Sequence, residues 1–372
     1  SWSAKYSSPF LSCVGALAES GSYLLAATHG SGLYSSDDYG SSWVRNSTIG
    51  TVEIRSLLAG SGFVLAGTDM LGMFRSTDNG TTFSPANTGL GSAWIQCMTQ
   101  CGANIYAGTG ESGLYVSSDN GLSWSVVPAI PATGISALAS GGNVIVVSTI
   151  DSTLFISSNA GTSWNQLNTL IPADKITSLA VCYNNVVAGT QSNGLFLSAD
   201  QGAAWNPVSV GELYNPEIRC LFSFYNLVFA GTAEGELVYS QDSGNTWVLF
   251  SWVLDDSPIL SLFTGSSGLY AGVNGGGVWS IPLCQLVTGT PQPESLNAEV
   301  FPNPVNQFAE IEWKGGKNIQ YTLSDISGKV MTTGILRGGY GIIPTEAIPC
   351  GFYIISFSDG KFGFSKEIEI VH

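Results

Sequence analysis

Six loops in the first two-thirds of the sequence carry the side chains best suited to chemistry. Each follows an apolar run, and together they hold His29, Asp69, Glu111, Asp151, Gln191 and Glu234. The four carboxylates would suit a cation or a hydroxyl-rich ligand, because carboxylate oxygens are hard donors to metals and strong hydrogen-bond acceptors. Arg55 and Arg219 each stand two residues after a glutamate, Glu53 and Glu217, and would bring charge to the same rim. Trp94, Tyr214 and Trp252 lie nearby, where their rings could stack on sugars or pack the long loops down. The plainer reading is polar loops with solvated ion pairs, so these residues are candidates for a ligand rim only.

No metal centre, cofactor or catalytic group is expected. Cys97 and Cys101 form C-x3-C, but no Cys or His pair follows at zinc-finger spacing, and His29 and His372 are the only histidines. Seven cysteines (Cys13, Cys97, Cys101, Cys182, Cys220, Cys284 and Cys350) are too few for a disulfide scaffold, and the odd count leaves one unpaired in a monomer. They read as small residues buried in strands, with one or two disulfides as the alternative. Neither G-x-S-x-G nor a zincin motif occurs.

The elements that must position these loops are set by an internal repeat. Six segments follow S-x-D-x-G-x-x-W, the first being Ser36-Asp37-Asp38-Tyr39-Gly40-Ser41-Ser42-Trp43. The acidic position is Asp38, Asp78, Asp119, Asn159, Asp200 and Asp242; the aromatic position is Trp43, Phe83, Trp124, Trp164, Trp205 and Trp247, at intervals of 40 to 42 residues. The Asp can accept N–H bonds inside a tight turn, the Gly supplies a backbone conformation other residues reach with strain, and the aromatic covers the turn. The box is therefore read as structural, closing a hairpin between two strands.

Upstream of each box lie an alternating run such as Ile54-Arg55-Ser56-Leu57, then an apolar run that in most copies ends in Ala-Gly-Thr, then a short strand entering the box. A further strand follows each aromatic. Four short strands per repeat, with no helical periodicity, predict an all-β chain whose first part is a β-propeller. Six boxes give six blades. A seventh begins at Ile259, passes Ala271-Gly272-Val273 and stops after Gly277-Val278-Trp279-Ser280. Trp2 stands 41 residues before Trp43, in register, so the N-terminal strand is expected to complete blade seven and cover its open edge.

Composition agrees with a β-rich protein working outside the cytoplasm. Twelve Lys+Arg against 27 Asp+Glu give a net charge of -15, and only 10% of residues are charged. That excludes a basic footprint for nucleic acid and a polybasic membrane patch. A 44% hydrophobic content excludes disorder, and no apolar run has the length of a membrane helix. Ser1 begins without a charged and apolar leader, so export would imply a signal peptide already removed.

The boxes resemble the Asp-box repeats, also called BNR or sialidase-type, of sialidases, xyloglucanases, sortilin-type receptors and a photosystem-assembly propeller family. The resemblance covers about residues 1–285 and implies the fold, not the activity. The sialidase mechanism implies three arginines on a carboxylate, a Tyr–Glu pair and an acid Asp. Here the propeller has only Arg45, Arg55, Arg75 and Arg219, and the Phe/Tyr-Arg-Ile-Pro signature is missing. Xyloglucanases work in a cleft between two propellers, and one is present.

Beyond Trp279, Thr288-Gly289-Thr290-Pro291-Gln292-Pro293 reads as part of a linker, 286–297. Strands are expected at Glu310–Trp313, Gln320–Leu323, Phe352–Phe357 and Glu367–Ile370, giving an Ig-like antiparallel β-sandwich over 298–372. Phe301-Pro302-Asn303-Pro304, Leu323-Ser324-Asp325-Ile326-Ser327-Gly328-Lys329-Val330, Ile348-Pro349-Cys350-Gly351-Phe352-Tyr353 and Lys366-Glu367-Ile368-Glu369-Ile370-Val371 resemble the C-terminal sorting domain of type IX (Por) secretion in Bacteroidetes. The resemblance implies the secretion machinery as partner and export to the outer cell surface, with the tail then removed or retained. Asn46-Ser47-Thr48 and Asn79-Gly80-Thr81 fit the N-glycosylation sequon, and Asp151-Ser152-Thr153 is similar to a Bacteroidetes O-glycosylation pattern.

The expected function is a secreted, non-enzymatic binding module with a glycan or surface protein on its loop rim. A structural subunit that self-assembles and a glycan hydrolase using rim carboxylates are the alternatives. Two carboxyl groups roughly 5–10 Å apart in a cleft would favour the hydrolase.

Overall fold

The computed structural model describes residues 3–4, 13–167, 171, 174–210, 213–250, 257–282, 298–301, 307–313, 319–325, 329–337, 340–358 and 363–371. Two compact units divide the chain, Ser1–Ile281 and Pro282–His372. All regular structure among the described residues is β-strand.

The first unit holds seven four-stranded antiparallel sheets. Their first strands are Val14–Ser20, Ile54–Gly60, Ile95–Cys101, Ile135–Gly141, Ile176–Cys182, Ile218–Phe224 and Ile259–Gly265. The second sheet is typical: Ile54–Gly60 pairs with Phe63–Thr68, that with Met73–Ser76, and that with Ser84–Pro85. First strands of successive sheets lie beside one another, and the seventh lies beside the first, so the sheets form a closed cycle. The seventh contributes Ile259–Gly265, Gly268–Val273 and Gly277–Ile281 and takes its fourth strand, Ser3–Ala4, from the N-terminus. Ser3 stands opposite Ser280 and Ala4 opposite Trp279. Trp2, Trp252, Cys284 and the 286–297 linker lie outside the described residues.

The recurring Ala-Gly-Thr ends the second strand, and each residue has its own reason. Ala66 is wholly buried between sheets. At Gly67 a Cβ would stand 2.6 Å from Ile95 Cγ2, so only glycine lets the next sheet's first strand approach; Gly108, Gly189 and Gly231 meet Ile135, Ile218 and Ile259 in the same way. Thr68 is fully buried, and its hydroxyl donates to Gly72 O at 2.8 Å while accepting from Leu71 N at 3.0 Å. Thr28, Thr109 and Thr190 repeat that clasp at 2.8–2.9 Å to Gly32, Gly113 and Gly194. It shapes the loop between the second and third strands in these four sheets.

The six described cysteines are all unpaired, which removes the disulfide alternative for them. Cys97 and Cys220 occupy the small-residue position facing Gly108 and Gly231, and burial pushes both thiols up to about 12. Cys101 and Cys182 point their thiols at Gly142 O and Tyr225 O of the next sheet's hairpin, at 3.3 and 2.8 Å.

The second unit pairs a three-stranded sheet (Ala298–Phe301, Phe308–Trp313, Tyr340–Pro344) with a four-stranded one (Val330–Leu336, Ile319–Asp325, Gly351–Ser358, Gly363–Ile370). One core of Ala309, Ile311 and Ile343 against Leu323, Ile355 and Ile368 joins the two sheets. Ala298–Phe301, Val330–Leu336 and Tyr340–Pro344 are strands beyond those expected; Ala298–Phe301 is only four residues long, and Gly334 and Gly341 interrupt the alternation of the other two.

Candidate functional site

Each box turn is built around its serine. Ser76 is 2% exposed; its hydroxyl donates to Asp78 Oδ1 at 2.7 Å and accepts from Gly80 N at 2.9 Å. Asp78 faces solvent and accepts from Thr82 N at 2.8 Å and from the Thr82 hydroxyl at 2.6 Å. Asp38, Asp119 and Asp242 repeat this with Ser42, Ser123 and Thr246. Asp200 keeps the N–H of Ala204 at 2.9 Å but has no hydroxyl there to bind. Asn159 reverses one bond: its Oδ1 accepts from Ser157 and from Ser163 N, while its Nδ2 donates to the Ser163 hydroxyl at 2.8 Å. The hydroxyl and N–H at the fourth following residue hold the carboxyls of Asp38, Asp78 and Asp119 down at about 2. Asp200 is lowered chiefly by Ala204 N–H; for Asp242 partial burial opposes the shift, but the Thr246 bonds outweigh it.

The boxes also fasten neighbouring sheets. At Gly121 φ is +81°, and a Cβ would stand 2.7 Å from Leu65 Cδ2 of the preceding sheet. Gly80, Gly161, Gly202 and Gly244 approach Leu25, Tyr106, Leu167 and Val187 in the same way. The aromatics follow: Phe83 packs with Leu25 and Leu33, Trp124 with Phe63 and Leu65, and Trp247 with Val187 and Leu197, each cluster spanning two sheets. Trp43, Trp164 and Trp205 lie at the edges of equivalent clusters. The aromatic is thus a wedge between sheets more than a lid on its own turn.

The opposite rim carries the loops between second and third strands. Here one backbone bond recurs in every sheet, from the residue after the second strand to the carbonyl before the first. It runs from His29 to Cys13, Asp69 to Glu53, Gly110 to Trp94, Ile150 to Gly134, Gln191 to Lys175, Ala233 to Glu217 and Asn274 to Pro258, at 2.9 to 3.3 Å. Each first strand then bulges at its second residue. Bulges at a rim re-aim side chains. Arg55 and Arg219 occupy two of these positions and fold back on Glu53 and Glu217, at 2.8 and 3.2 Å.

The bond pattern places the candidate carboxylates unequally. Asp69 occupies the repeated position itself, whereas Glu111, Asp151 and Glu234 each stand one residue beyond it. Among the described residues no three His, Cys, Asp or Glu side chains gather as a metal site. The Thr149 hydroxyl binds Asp151 and holds its carboxyl below the usual range. Asp174, which the sequence reading overlooked, also lies on this rim. Partial burial opposes its ionisation, but N–H groups of Ser192 and Lys175 and the Asn193 amide lower it. Trp94 donates to Gln96 Oε1, and Tyr214 is exposed.

Cys13 Sγ and His29 Nδ1 lie 3.4 Å apart beside the Glu53–Arg55 pair. Burial, with Glu53 adding to it, pushes the thiol up, while burial pushes the imidazole down. Both shifts work against the thiolate–imidazolium form in which such a pair acts as a nucleophile. Of the glycosylation patterns, Asn46 is buried and donates to Gly80 O and Thr81 O at 3.0 and 2.8 Å, so its amide is already committed. Ser152 donates to Asp174 O at 2.9 Å. Asn79 remains exposed.

Residues 299–370 match the family described as "Secretion system C-terminal sorting domain". The chain carries a type IX secretion tail. That tail directs it out of the cell, to the extracellular space or the cell surface. No curated protein matches the sequence. Among solved structures, YCF48 bound to D1 peptide aligns with 75% of this chain and 95% of its own at 17% identity and a TM-score of 0.60. PorZ, an essential surface component of the type-IX secretion system of Porphyromonas gingivalis, aligns over 97% of this chain and 60% of its own, with 14% identity and a TM-score of 0.54. The GH74 xyloglucanase of Xanthomonas campestris aligns over 84% and 59%, with 15% identity and a TM-score of 0.58. At these identities the likeness is one of fold, and the first unit is a β-propeller.

Proposed function

We propose that the protein is an exported, non-enzymatic binding module: a seven-bladed Asp-box propeller over 1–285, closed by its N-terminal strand. A linker at 286–297 would join it to an Ig-like sorting sandwich at 298–372 that engages the secretion machinery. The ligand face is the rim of loops between second and third strands, opposite the boxes. One observation carries this reading. Several charged groups of that rim are engaged with one another or with the loops: Glu53 with Arg55, Glu217 with Arg219, and Asp151 and Asp174 with hydroxyl, amide or N–H donors. A glycan hydrolase needs a carboxyl held protonated as general acid. Asp151 and Asp174 are shifted the other way. The boxes act as fasteners, with serine, glycine and aromatic all turned towards packing. A fold of this kind in YCF48 is bound to a peptide, which supports a binding role for the surface.

The test uses the full chain against a panel of soluble polysaccharides, with reducing-end release and binding both followed. No bond cleavage is expected, whether or not a polysaccharide binds. Reducing ends released by the native chain but not by a D69N/E111Q/D151N/E234Q variant would overturn the non-enzymatic reading.

A further inference from the structure

The rim is not uniform. On the second, third and fourth sheets it presents large apolar side chains to solvent: Met70 at 76% exposure, Leu71 at 49%, Trp94 at 36% and Ile150 at 57%. The backbone makes them one arc. Gly72 N donates to Ala93 O at 2.8 Å, which ties the Met70–Leu71 loop to the residue before Trp94. The Trp94 ring lies over Gly110, where a Cβ would meet it at 2.2 Å. At Gly134 a Cβ would stand 2.4 Å from Gly110 O and 2.8 Å from Ile150 Cγ2. These contacts set Leu71, Trp94 and Ile150 on neighbouring loops of three successive sheets.

Carboxylates edge this arc. Asp69, Glu111 and Asp151 stand in the loops between second and third strands of these three sheets, and Arg55 of the same rim is already held by Glu53. The local charge is negative, and the chain as a whole stands at -15. We propose that this arc docks an extended polypeptide segment of a partner protein that carries large apolar residues interspersed with Lys or Arg. Met70, Leu71 and Ile150 supply burial but no aromatic face, and the one ring of the arc, Trp94, lies against Gly110, so a polypeptide with apolar anchors fits better than a glycan needing several stacked rings. The cations of the segment would meet Asp69, Glu111 and Asp151, which also disfavours acidic partners, a second copy of this chain included. This proposal rests on the loop rim being the binding face.

The probe is a fluorescein-labelled dodecapeptide with three Leu and four Lys separated by Ser and Gly, titrated against the full chain by anisotropy. Companion peptides replace every Leu by Ser or every Lys by Glu. The native chain should bind the parent peptide, and Met70→Ser with Ile150→Ser should weaken it about 10-fold or more, as loss of central apolar anchors does. Leu122→Ser on the box rim should change nothing, and D69N/E111Q/D151N should weaken binding and flatten its salt dependence. Asp69 is half-buried and the other positions face solvent, and unchanged denaturation midpoints confirm folding. The proposal fails if M70S/I150S and L122S bind equally well, or if the Leu-to-Ser peptide binds as tightly as its parent. Failure of the peptide beside a polysaccharide that M70S/I150S releases would sink this proposal and leave the rim reading standing. Binding of either ligand lost only with box-rim variants would sink both.

Discussion

Replacing Ser76 by Ala should destabilise the propeller more than replacing Asp78, although the acidic residue is the one that marks the repeat. The Ser76 hydroxyl is buried, and its removal strands the N–H of Gly80, which has it as acceptor at 2.9 Å. A buried donor left without a partner costs about 1–3 kcal/mol. Loss of the bond from Ser76 to Asp78 adds little, because the carboxylate faces water. Asp78→Ala frees Thr82 N–H and hydroxyl, which are exposed and pass to solvent. Its effect should be less than about half that of Ser76→Ala. For a unit of this size, Ser76→Ala would lower the Tm by roughly 2–5 °C. Urea denaturation of both variants, followed by tryptophan fluorescence, measures the order directly. An Asp78→Ala variant less stable than Ser76→Ala would refute the assignment of the serine as the hub.

Three further outcomes follow from the same geometry. The carboxyls of Asp38, Asp78 and Asp119 sit at about 2 when folded, below the ordinary value of roughly 3.9 in an unfolded chain, so their stabilisation is complete above about pH 4 and fades as pH falls towards 2. The urea midpoint should fall across that window, and D38N/D78N/D119N should flatten the fall while keeping the fold, as Asn159 does in its own box; an unaltered pH profile would count against it. Deleting residues 1–8 exposes the edge at Trp279 and Ser280 and should lower the Tm by about 4 °C or more; an unchanged Tm would remove the closing role of that strand. Mass spectrometry of protein from its native cells should recover the peptide ending at His372 if the sorting tail is retained, and termini near the 286–297 linker if the tail serves export alone.

The repeat made the sheets readable because its period, its boxes and its Ala-Gly-Thr all fall at fixed places in the chain. Even the unpaired edge was legible, from the register of Trp2 with Trp43. What escaped lies between sheets. That Gly121 meets Leu65, or that Trp124 wedges against Phe63, depends on the neighbouring copy, and a single repeat carries no sign of it. The rim was read by residue type, which grouped Asp69 with Glu111, Asp151 and Glu234. The repeated backbone bond instead aligns Asp69 with Gly110, Ile150 and Ala233, the residue after each conserved-looking Thr. Met70, Leu71 and Ile150 drew no notice because single apolar residues in loops are ordinary, and only packing through Gly110 and Gly134 joins them.

The rim assignment is tested most directly in the cells that export the protein. A photo-crosslinking amino acid is placed singly at Met70 or Ile150 on the loop rim, and at Tyr39 or Leu122 on the box rim, all four exposed. Irradiation of intact cells followed by blotting should give a discrete adduct from Met70 and Ile150 and none from Tyr39 and Leu122. Adducts from the box rim with none from the loop rim would contradict the account.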